Sequence, residues 1–161
     1  MFLLALLIAA ALIIAWTTRV WSSGFGRRAD TVAERLSLAA KICEASARSA
    51  FNVELDRSLE SLHTLDEIVT KDVASEMSDD SVYVLGAYLG DVILREIGGR
   101  WSRLEANEKY PKLLLANGEV FDPFDIVTAK MHFPEISLEQ EVRRRLEPPT
   151  SAEENPSGNV A

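Results

Sequence analysis

Residues Ser81 to Trp101 read SVYVLGAYLGDVILREIGGRW. Val82, Leu85, Leu89, Ile93 and Ile97 recur at three- and four-residue steps and share one face of a helix. Val84, Ala87, Tyr88 and Val92 widen that face beyond an ordinary amphipathic stripe, so the helix is expected to be covered on more than one side. Asp79 and Asp80 stand where they can cap free N–H groups and complement the positive end of the dipole. Gly98-Gly99 offers the left-handed stop. Gly86 and Gly90 lie on one face and each costs about 1 kcal/mol relative to alanine. Close approach of another backbone, from a helix or the sheet, is the expected compensation.

Upstream, Thr31 and Glu34 make a capping-box pattern. Leu36, Ala39, Cys43, Ala47 and Ala50 follow as a helical stripe to Phe51, and the alanines imply a close helical neighbour. After a break at Asn52–Asp56, Leu59, Leu62, Leu65, Val69 and Val73 define a second helix, capped by Asp56 or Ser58. Downstream, the spacing predicts strands over Trp101–Ala106, Lys112–Ala116 and Glu119–Phe121. Asn117-Gly118 is the hairpin signal. Asp122-Pro123 can begin a helix to Phe133, with Phe124, Val127 and Met131 inward. Ser137 opens a short helix, SLEQEVRRRLE. The fold class is therefore α+β: a three-helix N-terminal part packed on a small antiparallel sheet of about three strands, with further C-terminal helices, preceded by one transmembrane helix.

That first helix is Met1–Trp16, MFLLALLIAAALIIAW, which has no charged side chain, glycine or proline. Extended through Thr18 it spans about 27 Å, close to the ~30 Å hydrocarbon core. Trp16 and Trp21 suit the interface. Residues 1–21 are read as a retained anchor in the lipid bilayer, with a cleaved signal peptide as the alternative. Arg19, Arg27 and Arg28 all follow the span, which places the C-terminal domain in the cytoplasm of a single-pass membrane protein. Residues 22–29 read as a basic linker, 30–147 as the globular domain and 148–161 as a disordered tail.

Those three arginines are the only charged side chains of the first 28 residues. The remainder sets 14 basic against 25 acidic side chains, a net charge of −11. Such a domain repels phosphates, so no nucleic-acid partner is expected. Cys43 is the lone cysteine, so no internal disulfide forms. His63 and His132 are far apart, and no metal-ligand or nucleotide-binding motif occurs. The sequence thus predicts no catalytic residues, no metal site and no cofactor, hence no enzyme. The least ordinary polar set surrounds the long helix: Tyr83, Tyr88, Asp91, Arg95, Arg100 and Trp101. Asp91 and Arg95 are spaced for an i, i+4 pair. These six are the candidate recognition surface for a protein partner.

LGAYLGD (Leu85–Asp91), GGRW (Gly98–Trp101), then NG and DPF within Asn117–Phe124, resemble a bacterial domain of unknown function. LDRSLESLHTLDEIV (Leu55–Val69) is similar to that family's LD-x-S element followed by a helix. The resemblance covers about Phe51–Phe133 and implies no activity. This chain has Asp91 where the pattern carries a glutamate. The expected role is protein–protein interaction by a membrane-anchored acidic domain. The alternatives are an immunity or inhibitor protein neutralising a basic toxin, an exported soluble binding domain, or an enzyme assembled around Asp91.

Overall fold

A computed structural model describes residues 31–70, 73–74, 76–105 and 107–146. The anchor, the linker and the tail expected over 148–161 lie outside these residues. Among the described residues, no helix is long and apolar enough to cross a membrane.

Among the described residues, five helices and a three-stranded antiparallel sheet make an α+β fold. Helix α1 spans Val32–Phe51 and begins with the complete Thr31–Glu34 capping box. Asn52 ends it in the left-handed conformation, at φ 55°. Helix α2 spans Leu59–Ile68, with Ser58 as its N-cap. It stops short of Val73, the last residue of the expected stripe. Helix α3, the long central helix, spans Asp79–Ile97. Its N-cap is Ser78, so Asp79 and Asp80 occupy the first turn instead of the cap. There they still face the positive end of the dipole.

Strands β1 (Gly99–Trp101), β2 (Leu113–Leu115) and β3 (Val120–Phe121) follow in spatial order. Strand β1 starts two residues earlier than the sequence implies. Gly98 alone closes the helix, and Gly99 already pairs with Leu115. A Cβ on Gly99 would stand 2.3 Å from the Leu114 carbonyl oxygen, so the second glycine serves strand pairing. The β2–β3 turn is the expected hairpin, with Gly118 at φ 88°. Asn117 holds it through its side-chain oxygen, which accepts from the Glu119 N–H at 3.0 Å.

Helix α4 spans Pro123–His132. The Asp122 carboxylate caps it by accepting from the N–H groups of Phe124 and Asp125. Helix α5 spans Leu138–Leu146.

Helix α3 sits in the middle. Helix α1 packs along one side of it, while α4 and β2 pack elsewhere on its surface. This explains why Val82, Ala87, Leu89, Val92 and Ile93 are all buried although they span most of the helical circumference. Cys43 faces the same core. Burial, aided by the charge of Glu44, pushes its thiol up to about 12, so the thiolate does not form at neutral pH.

Candidate functional site

The two helical glycines are seats for aromatic rings. A methyl group on Gly86 would stand 2.3 Å from the Phe124 ring, and one on Gly90 2.2 Å from the Trp101 indole. The close approach inferred from sequence is real. Side chains make it, from α4 and β1, where a backbone was expected. Phe124 lies between its neighbours: Tyr110 stacks at 4.5 Å between centroids, with Tyr83 and Trp101 each at 6.0 Å. Offset pairs of this kind add about 0.5–1.5 kcal/mol each beyond the area they bury.

Asp91 follows Gly90 directly, and the Trp101 indole beside it helps hold its carboxyl down. The i, i+4 pair of Asp91 with Arg95 does not form. Asp91 instead binds Arg57 at 3.0 Å, and Arg57 also binds Glu44 at 2.5 Å. Arg95 turns away and donates to the Asp56 carbonyl at 2.7 Å. A half-buried guanidinium thus joins α1, the α1–α2 loop and α3. Glu44 holds Arg57 more firmly protonated than usual. Burial raises Asp91 above the ordinary carboxylate value, against the opposing pull of Arg57. The two carboxylates and one guanidinium leave this cluster one negative charge in excess.

Each residue of Leu55–Ser58 has a part here. Leu55 is buried. Asp56 accepts from the Ser58 N–H at 3.0 Å. Arg57 adopts φ 62°, a conformation that costs a non-glycine residue of order 1 kcal/mol. Ser58 caps α2. The Arg57 N–H donates to the Tyr88 hydroxyl at 2.9 Å. Tyr88 meets Ser61 Oγ at 2.6 Å, and Ser61 donates to the Ser58 carbonyl at 2.6 Å. One proton order satisfies all three contacts: the Arg57 amide to Tyr88, Tyr88 to Ser61, Ser61 to Ser58. Tyr88 is fully buried. Its hydroxyl is committed to this chain and meets no solvent.

Matches to this chain are absent from protein-family profiles, curated proteins and solved structures alike. Contacts within this chain account for LGAYLGD, GGRW and DPF: Gly86 and Gly90 seat Phe124 and Trp101, and Asp122 caps α4. Of the six residues proposed as a recognition surface, Tyr88 is buried, and Tyr83, Asp91 and Trp101 are half-buried in the framework. Arg95 and Arg100 are exposed. Strand pairing sets Arg100 beside Leu114, and Leu114 beside Val120.

Sequence periodicity passed over a second polar cluster. Asp66 on α2 accepts from the Ser137 hydroxyl at 2.8 Å and from the Leu138 N–H at 2.9 Å. It also binds the Lys130 ammonium at 2.8 Å. Lys130 is 3% exposed and reaches the Ile136 carbonyl at 2.8 Å. An acid on one helix thus caps another through a buried ion pair. The only hint in sequence was Asp66 itself, an acid beside the apolar stripe of α2.

Among the described residues, the concavities open to solvent include two that are well formed. A groove of about 510 Å³ lies between β3, α4 and α5, bordered by Val120, Phe121, Asp125, Ile126, Ile136 and Arg145. An apolar crevice of about 120 Å³ lies where α1, α2 and the start of α3 meet, bordered by Ala47, Phe51, Leu65, Met77 and Leu85. Asp91 lines neither of these.

Proposed function

We propose that the chain is a small acidic domain, held at a membrane by residues 1–21, that acts by binding another protein. In this reading the bilayer is the first partner and the domain faces the cytoplasm. The observation that carries the binding role is the groove between β3, α4 and α5. It is concave, part apolar and part charged, and Val120 at its rim is 61% exposed. Exposed apolar surface beside charged groups is the usual character of a protein contact site. The polar residues of the central helix support the same division of labour. The hydrogen bonds of Tyr88, Asp91 and Arg95 are used within the chain, which makes these three part of the framework and leaves the contact role to the groove.

The net charge of −11 after residue 28 favours a basic partner. It also favours the narrower reading, an immunity-type protein that neutralises a cationic toxin. The test is affinity capture of the intact chain from membranes opened with mild detergent. A stoichiometric basic protein, released as salt rises, is the expected result. A chain that emerges alone at low salt contradicts the proposal. A toxin-like reading frame beside this one selects the narrower form.

A further inference from the structure

We propose that the outer edge of β3 receives an extended, lysine- or arginine-bearing segment of the partner as a fourth strand, laid along the groove between β3, α4 and α5. The inference rests on the binding role proposed above and adds the place and the chemistry.

The backbone pattern comes first. Ser102 N–H donates to the Lys112 carbonyl and Ala116 N–H to the Gly98 carbonyl, so Lys112 and Ala116 face β1. Leu115 N–H donates to the Glu119 carbonyl, so Leu115 faces β3. Alternation then turns Leu113 and Phe121 toward each other and points the N–H and C=O of Val120 away from the sheet. No other described residue takes up those two groups. They are a free donor and acceptor on an edge strand, the template for strand addition.

The charge of the rim selects the segment. The Lys112 ammonium is engaged by Glu108 at 2.8 Å and Glu141 by Arg144 at 2.6 Å. Arg145 lies over the Phe121 ring, 5.7 Å from its centroid. Asp125 is exposed and forms no ion pair among the described residues. Burial and the charge of Asp125 push Asp122 above its ordinary value, with Lys112 pulling the other way; the two carboxylates share that one ammonium, which Glu108 already engages. A cationic side chain beside Asp125 supplies a further positive charge. In an extended segment, alternate side chains fall on the same side, so such a cation and its second neighbour both reach the groove.

The test uses the intact chain in detergent micelles and a fluorescein-labelled hexapeptide of alternating valine and lysine. Fluorescence anisotropy is expected to show binding about tenfold tighter than for the peptide with glutamate in place of lysine. N-methylation of alternate peptide amides is expected to weaken binding about tenfold, because the strand contacts are lost. Val120→Pro, which removes a donor the sheet does not use, is expected to do the same. Asp125→Lys is expected to reverse the lysine-over-glutamate preference. If Val120→Pro fails to fold, peptide methylation decides alone, since the protein is then untouched. No binding of the lysine peptide, or binding indifferent to methylation, overturns the inference. A partner captured from membranes that still binds Val120→Pro and Asp125→Lys overturns this inference and leaves the binding role standing. Failure to capture any partner, with the lysine peptide still bound, overturns the binding role instead.

Discussion

At Gly90 a single methyl group would meet the Trp101 ring at 2.2 Å. Helix propensity alone favours alanine there by about 1 kcal/mol. Overpacking against a ring held by its neighbours costs about 1–3 kcal/mol. The second effect wins, so Gly90→Ala is predicted to lower stability by about 1–2 kcal/mol in urea unfolding. In a Trp101→Ala background the same change is predicted to be neutral or stabilising, because the ring is gone. Equal costs in both backgrounds would refute the seat. Arg57 makes a second residue-scale case. Arg57→Ala leaves Glu44 and Asp91 facing one another, half-buried. It is predicted to cost about 2 kcal/mol, less than for a fully buried pair because water reaches the site. Asp91→Asn behaves differently. The raised Asp91 value means that the folded chain takes up this proton more readily than the unfolded one. Stability from that group is present below the ordinary value of 3.8 and is lost as pH rises through the higher folded value. Asp91→Asn is therefore predicted to gain on the parent as pH is raised from 3.8 toward neutrality, in urea midpoints taken across that range. A parent that gains on the variant over the same range contradicts the sign.

The clearest dependence between elements is α5 on α2. Asp66 accepts two helix-start N–H groups and the Ser137 hydroxyl, and it balances Lys130. Asp66→Ala removes a cap and strands a buried ammonium. It is predicted to cost about 3 kcal/mol. Amide exchange in Leu138–Arg145 is predicted to rise before that of α3. Uniform acceleration across the fold would contradict a local cap. This dependence also marks what a sequence reading can reach. Periodicity placed α1 and α3, and turn chemistry placed the hairpin and α4, because those signals sit within a few residues of one another. Arg57 meets Asp91 across 34 positions and Asp66 meets Leu138 across 72. No local pattern encodes such distances. The expected Asp91–Arg95 pair failed for that reason: a distant guanidinium reached the acid first. The glycines of α3 could be read as a tight contact, but the rings that fill it come from elements later in the chain. The free edge of Val120 followed only from the register of three strands.

For the molecule as a whole, the framework and the proposed contact surface occupy different places. Residues that look functional in the primary structure, Tyr88 and Asp91 above all, join α3 to the α1–α2 loop, to α2 and, through Arg57, to α1. The groove and the open strand edge lie at the far side of the sheet, between β3, α4 and α5. Binding through that groove in an acidic domain is predicted to weaken by about tenfold or more as ionic strength rises from ~0.01 M to ~0.1 M and the Debye length falls from ~30 Å to ~10 Å. Loss of affinity independent of salt, measured by calorimetry, would point to an apolar contact instead. The proposal further requires that residues 1–21 sit in lipid and carry the domain with them. Fractionation of cells producing the intact chain from Met1, with a reporter fused after Ala161, tests this most directly. The account predicts that the chain is in the membrane pellet, uncleaved, with the reporter on the cytoplasmic side. An intact chain that remains in the supernatant as a monodisperse species without detergent would contradict it.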